Sequence, residues 1–216
     1  MQLLIKIYQT NKKANSFLLA LCCYCAFLLL CRVKVTQSVF YFFLIWNAFL
    51  AAIPYLLFLF VKQRIELLEN TKTRTLLFII WLLFLPNSFY IVTDFIHLSK
   101  GNPNLFWFDL ILLSSFAGLG ILFGLAAIEE FKTCFSLFFS QKKIQYSIPV
   151  ICLLSGFGIY LGRFLRFNSW HILTNPMQLF IDSCTCLIST QAVLFSMLYG
   201  SFIYLIYILK NNFYGN

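Results

Sequence analysis

Six apolar runs, at about residues 15–35, 39–61, 75–98, 106–128, 144–163 and 187–209, constrain this chain more than any other feature. A helix needs roughly 20 apolar residues to cross the hydrocarbon core, and each run is near that length. In lipid every backbone polar group must be satisfied within the protein, which leaves helices as the structure for such runs. The first run is the weakest, since its core from Phe17 to Cys31 is short and borrows flanking residues, with Arg32 expected to snorkel to the interface. It reads as a spanning helix rather than a cleaved signal, because no small-residue cleavage site follows it and Leu19-Ala20-Leu21-Cys22 places a bulky residue where a lipoprotein signal needs a small one. The expected fold is all-α: a polytopic transmembrane helix bundle of about six spans, forming a single integral membrane domain over residues 1–216.

Composition agrees and excludes other classes. With 61% hydrophobic and 11% charged residues the chain has no room for a sizeable soluble domain. The net charge of +9 would suggest nucleic acid in a soluble protein; here the lysines and arginines flank apolar runs, so topology accounts for them and no nucleic-acid partner is expected. Eleven of the 16 lie at the N-terminus, in the loops after spans two and four, and at Lys210. Cationic loops stay inside, so both termini are expected to be cytoplasmic and the protein to sit in the cell inner membrane among membrane lipids. All four glutamates then fall inside, and Asp94, Asp109, Asp182, His97 and His171 fall outside. Cys22, Cys23, Cys25, Cys31 and Cys152 lie in apolar runs and read as small hydrophobes, while Cys184 and Cys186 lack a metal or redox spacing.

The aspartates and histidines gather in two stretches, 86–109 and 163–182. Polar groups are costly at membrane depth, so these stretches define the candidate site. Asn87, Tyr90, Asp94 and His97 follow spacings of three, four and three and form one helical stripe, with a kink or restart expected at Pro86. Counting helix rise from the inner ends brings Asp94, Arg163 and Asp109 to one outer level, shared by the belt residues Trp107 and Trp170. Arg163 with Asp94 or Asp109 is either a structural ion pair or an anion clamp, since guanidinium forks match phosphate oxygens. The segment from Phe164 to Cys186 is too polar to cross and too apolar to float, which suits an interfacial or re-entrant segment between spans five and six, either a lid or a surface-lying loop.

Glycine pairs in span four (Gly120, Gly124) and span five (Gly158, Gly162) permit close helix approach and point to these spans as interior ones. Pro86-Asn87-x-x-Tyr90-x-x-x-Asp94-x-x-His97, Trp107-x-Asp109 and Gly162-Arg163-x-x-Arg166-x-Asn168-Ser169-Trp170 together resemble the recurring pattern of a family of bacterial multi-pass inner-membrane proteins catalogued as a domain of unknown function. The resemblance covers most of the chain from about residue 40 onward. It implies a bacterial inner-membrane protein and carries over no catalytic set.

From residue chemistry, His97, Asp94, Asp109 and His171 are the candidate catalytic groups, with Arg163, Arg166, Asn87, Tyr90, Asn168 and Trp170 as candidate substrate contacts. The matching function is an enzyme or binding site for a lipid or lipid-linked phosphate at the outer leaflet. Ser88, Ser99 and Ser169 have no adjacent base signature, so the nucleophile is unassigned. The Asp and His residues suit a metal by type but lack ligand spacing, and no cofactor is assigned. An accessory or structural subunit is the alternative. A proton-coupled transporter, suggested by Asn47 and the His–Asp stripe, ranks third because the inner halves of the spans are nearly bare of charge.

Overall fold

A computed structural model describes residues 11–100, 103–167, 174, 177, 181–183, 185–186 and 189–214. It contains six helices long and apolar enough to span a membrane: α1 (Lys12–Thr36), α2 (Phe43–Lys62, entered by a 3-10 turn from Phe40), α3 (Thr71–Tyr90), α4 (Phe106–Phe135), α5 (Gln141–Phe164) and α6 (Thr190–Tyr214). Among the described residues no strand occurs. The chain is a multi-pass helical membrane protein of six candidate spans, and its helices follow the apolar runs to within a few residues except in α3, whose run ends as a 3-10 helix after Tyr90, and in α4. There the helix continues past Ile128 through Glu129 and Glu130. Both charges are neutralised locally: Glu129 meets Lys132 and Lys210, and Glu130 meets Lys62 at 3.0 Å and the Asn11 amide.

Polar contacts at both ends fix an up-and-down order. At one end Glu130 joins the end of α4 to the end of α2 and the start of α1, and Lys210 adds the end of α6. At the other, Asp109 joins the start of α4 to Arg32 at the end of α1, and Asp94 joins the segment after α3 to the start of α2 and the end of α5. We call these the lysine-rich end and the Asp94 end.

α4 is the most buried span and packs on α1, α2 and α3. The expected close approach at glycines is present, and its target is α3. A Cβ on Gly120 would sit 2.4 Å from the Ser88 carbonyl oxygen, and one on Gly124 would sit 2.5 Å from the Phe89 ring. From the other side, a Cβ on Gly158 would sit 2.7 Å from Pro86. Ser88 closes the third side by donating to the Ala51 carbonyl of α2 at 2.7 Å. The stretch from Pro86 to Ile91 is therefore gripped by three helices. α6 stands outside this arrangement, packed on α5.

Of the kink or restart expected at Pro86, the restart is corrected. Helix α3 runs through Pro86 as continuous α-helix, with the Asn87 amide donating to the Phe84 carbonyl at 3.1 Å in the turn that proline disturbs. The change of winding comes later. After Tyr90 the chain becomes a 3-10 helix over Ile91–Lys100, long for this form. The two carbonyls at the switch accept hydroxyl groups, Phe89 from Tyr199 at 2.9 Å and Tyr90 from Thr93 at 2.7 Å. Side-chain donors that compete for helix carbonyls weaken the four-residue bonding pattern, which accounts for the switch at this point.

Candidate functional site

Helices α2 and α5 both pack on α3 but scarcely on each other, so a cleft remains between them with α3 as its floor. It has a volume of about 300 Å³. Its polar wall is formed by Asn47, Asn87, Tyr90, Asp94, His97 and Arg163. Toward the membrane interior the walls become apolar, with Leu50 from α2, Leu83 and Pro86 from α3 and Ile159 from α5. From Leu83 to His97 the floor climbs about 10 Å as α-helix and about 14 Å as 3-10 helix, so the cleft is long and graded from apolar to charged. Leu83 is also exposed on the outside of the bundle, which leaves the apolar part open to lipid.

Asp94 is the most buried group of the polar part, at 1% exposure. One carboxylate oxygen accepts from the Asn47 amide at 2.7 Å, and the other stands 3.7 Å from Nη1 of Arg163. The same Nη1 donates to the Tyr90 hydroxyl at 3.4 Å, and the guanidinium lies over the Tyr90 ring. Among the described residues, Arg163 is engaged only along this edge. A partly buried guanidinium beside an open cleft has the chemistry to take an anion. Gly162 makes its position possible, since a Cβ there would already touch the Tyr90 ring at 3.4 Å.

His97 lies one 3-10 turn beyond Asp94, on the same side of the segment and about 6 Å along its axis. Its ring packs against Phe43 at 4.9 Å and Phe40 at 6.0 Å between centroids, which fixes its plane at the charged mouth of the cleft.

The structure separates two residues from this group. Asp109 does not line the cleft. It is fully buried, receives Nε and Nη2 of Arg32, the latter at 3.0 Å, and accepts the Tyr41 hydroxyl at 3.1 Å. Arg32 itself does not snorkel. It is 7% exposed, because a buried carboxylate within reach offers the pairing that burial of a charge demands. The pair joins the end of α1 to the first turn of α4, where Asp109 also complements the helix dipole. Arg166 is the second. It is exposed at φ 59°, and the amide of Phe167 behind it bonds to the Leu161 carbonyl at 3.2 Å, so Arg166 occupies the left-handed position of a helix-ending turn. That turn carries Phe167 back to the cleft wall and leaves the Arg166 side chain outside.

Asn168, Trp170 and His171, with most of the expected interfacial segment from Phe164 to Cys186, lie outside the described residues. Asn47 enters the site as the partner of Asp94. Its signal in the sequence is an amide in the middle of an apolar run, which by itself suggests a transporter part. Phe43 and Trp46 carried no signal, since aromatic residues on a span most often face lipid. Among the described residues no group of three or more His, Cys, Asp or Glu is placed to hold a metal ion.

Fold and site together define a class: a six-span helical membrane protein with a one-sided polar cleft at the end of its third helix. The chain belongs to the family described as "Protein of unknown function (DUF1361)", whose profile matches residues 46–206. The match takes in the cleft from Trp46 to Phe167 and leaves out α1 and Tyr41, so the Arg32 and Tyr41 partners of Asp109 lie beyond it. No curated protein and no solved structure matches the chain.

Proposed function

We propose that the cleft binds a lipid or lipid-linked molecule through a phosphate or similar anionic head and acts on it at the membrane boundary. One observation carries this reading: Arg163 lines a cleft whose charged mouth grades into apolar walls open to the bilayer. An amphiphile has that gradient in the same order. The guanidinium takes the anionic oxygens, Leu50 and Leu83 take the chain, and burial in a site of low dielectric strengthens the charge pairing. Positive charge at the lysine-rich end supports the Asp94 end facing outward.

For chemistry, His97, the imidazole at the mouth, is the general acid or base. Asp94, fixed by Asn47, sets the position of Arg163 and adds a negative charge below the anion. The transporter reading gains no support, because the titratable groups of the cleft stand at one end only.

The test uses protein purified from native membranes, with bound phospholipid or lipid-linked phosphate read by mass spectrometry, alongside complementation of a deletion strain. Arg163→Lys keeps the charge and loses the fork; it is expected to insert, remain monodisperse and lose at least about tenfold of the bound ligand. His97→Gln is expected to retain the ligand and fail to complement. Full complementation by both variants, or a loss of thermal stability matching that of a core-disrupting mutant, would overturn the reading in favour of an accessory or structural role.

A further inference from the structure

A second cavity lies at the opposite end of the bundle, between the start of α3, the end of α4 and the start of α5, with a volume of about 290 Å³. Its inner wall is aromatic, made by Phe78, Phe131, Phe135 and Phe139. Its rim carries Arg74 and Lys143 with the hydroxyls of Thr71 and Thr75. No acidic residue lines it, and the first turns of α3 and α5 contain none.

The glutamates of this end are committed elsewhere or lie off the rim. Glu129 is held by Lys132 and Lys210 and Glu130 by Lys62, while Glu66 and Glu69 sit on the short turn before α3. Among the described residues, neither Arg74 nor Lys143 has a carboxylate partner. The Arg74 guanidinium is nevertheless held in place. It donates to the Leu68 carbonyl at 3.0 Å and to the Thr71 hydroxyl at 3.3 Å, with its plane over the Phe138 ring at 4.7 Å. Those contacts leave the Thr71 hydroxyl hydrogen and part of the guanidinium edge available. Lys143, exposed on the other side of the opening, is the second cation.

We infer that this cavity is a binding site for an anionic phospholipid of the leaflet at the lysine-rich end, with the phosphodiester between Arg74 and Lys143 and an acyl chain along the phenylalanine wall. Charge complementarity selects an anion, and the aromatic wall at membrane depth selects one with a chain over a free ion. The ligand is a structural or regulatory lipid, distinct in place and partners from whatever occupies the Arg163 cleft.

The test is photolabelling of the protein in nanodiscs with phosphatidylglycerol carrying a diazirine on its acyl chain, with labelled peptides mapped by mass spectrometry and phosphatidylcholine carrying the same group as the comparison. Mapping by position separates this site from the Arg163 cleft. Labelling of the peptides spanning Thr75–Phe78 and Phe131–Phe139 is expected to be at least about fivefold stronger with the anionic probe, a ratio lost in Lys143→Glu and in Lys143→Gln with Thr75→Val. Lys143 and Thr75 are exposed, so these variants are expected to fold, and unchanged peptide mapping elsewhere checks it. Equal labelling by both probes, or an equal loss from Lys142→Glu, would reduce the site to diffuse surface attraction and overturn the inference. Complete competition by millimolar inorganic phosphate would assign the site to a free anion and overturn the choice of lipid.

Discussion

Arg163 and Asp94 face each other at 3.7 Å without closing a fork, and the nearer hydrogen bond to each comes from a different residue, Tyr90 for Arg163 and Asn47 for Asp94. Arg32 and Asp109 do the opposite, meeting along two guanidinium nitrogens with Tyr41 as a third partner. Two arginine–aspartate pairs of one chain thus have different jobs. The closed pair uses two guanidinium nitrogens on one carboxylate, whereas the open pair, among the described residues, joins through Nη1 alone.

The closed pair is scaffold, and its variants separate it from the site. Asp109→Asn leaves Arg32 buried without its counter-charge and is expected to destabilise the protein by about 3–5 kcal/mol, read as a fall in thermal stability and in monodisperse yield. Arg32→Met with Asp109→Leu removes both charges and is expected to recover most of that loss. Stability unchanged in Asp109→Asn would return this residue to the site.

Asn47 is expected to act on ligand binding through Asp94. Replacing it with Leu removes the 2.7 Å donor from a buried carboxylate and is expected to cost about 1–3 kcal/mol of stability, with ligand retention reduced because Arg163 loses its fixed counter-charge. Asn47→Gln, which can still donate, should recover part of both. Wild-type retention in Asn47→Leu would show that Asp94 needs no positioning.

Glycines on α4 give a paired prediction. A methyl at Gly120 meets the Ser88 carbonyl oxygen, which belongs to a backbone gripped on three sides, so Gly120→Ala is expected to destabilise by about 1–3 kcal/mol. At Gly118 an added Cβ meets nothing within 4 Å, and Gly118→Ala is expected to be neutral or to stabilise by up to about 1 kcal/mol through helix propensity. Thermal unfolding of the two variants in one detergent checks the order.

Orientation is open to labelling. Asn70 caps α3 at the lysine-rich end and is exposed, so Asn70→Cys is expected to react with a membrane-impermeant maleimide only after the membrane is broken. Lys34→Cys, at the other end of α1, should react in intact cells. The reverse pattern would invert the topology drawn from positive charge.

The spans were legible in the sequence because hydropathy over some 20 residues depends on composition alone. The polar stripe was legible for the same reason, and Asn87, Tyr90, Asp94, His97 and Arg163 do share the cleft. Helix rise gave depth along the bundle but no azimuth, so Asp109 could not be told from Asp94. The partner of Asp109 sat in the span that looked weakest, where Arg32 had a simpler reading at the interface. Nor did Pro86 announce that the helix would continue, since the groups that hold it, Gly158 and the Asn87 amide, act across space or within the turn. The switch at Tyr90 has a local part, the Thr93 hydroxyl on the Tyr90 carbonyl, and a part that no local pattern encodes, the Tyr199 hydroxyl of α6 on the Phe89 carbonyl some 110 residues away.

That switch has a geometric consequence. Residues three apart are eclipsed in a 3-10 helix, whereas in an α-helix they are about 60° out of line. Asp94 and His97 therefore share one bearing only while the segment stays overwound. Rewinding it to α would also draw His97 about 1.5 Å closer to Asp94 along the axis while turning it off the cleft. The alignment of the two groups is a property of pitch, and the Tyr199 hydroxyl bonded to the Phe89 carbonyl stands at the point where the pitch changes.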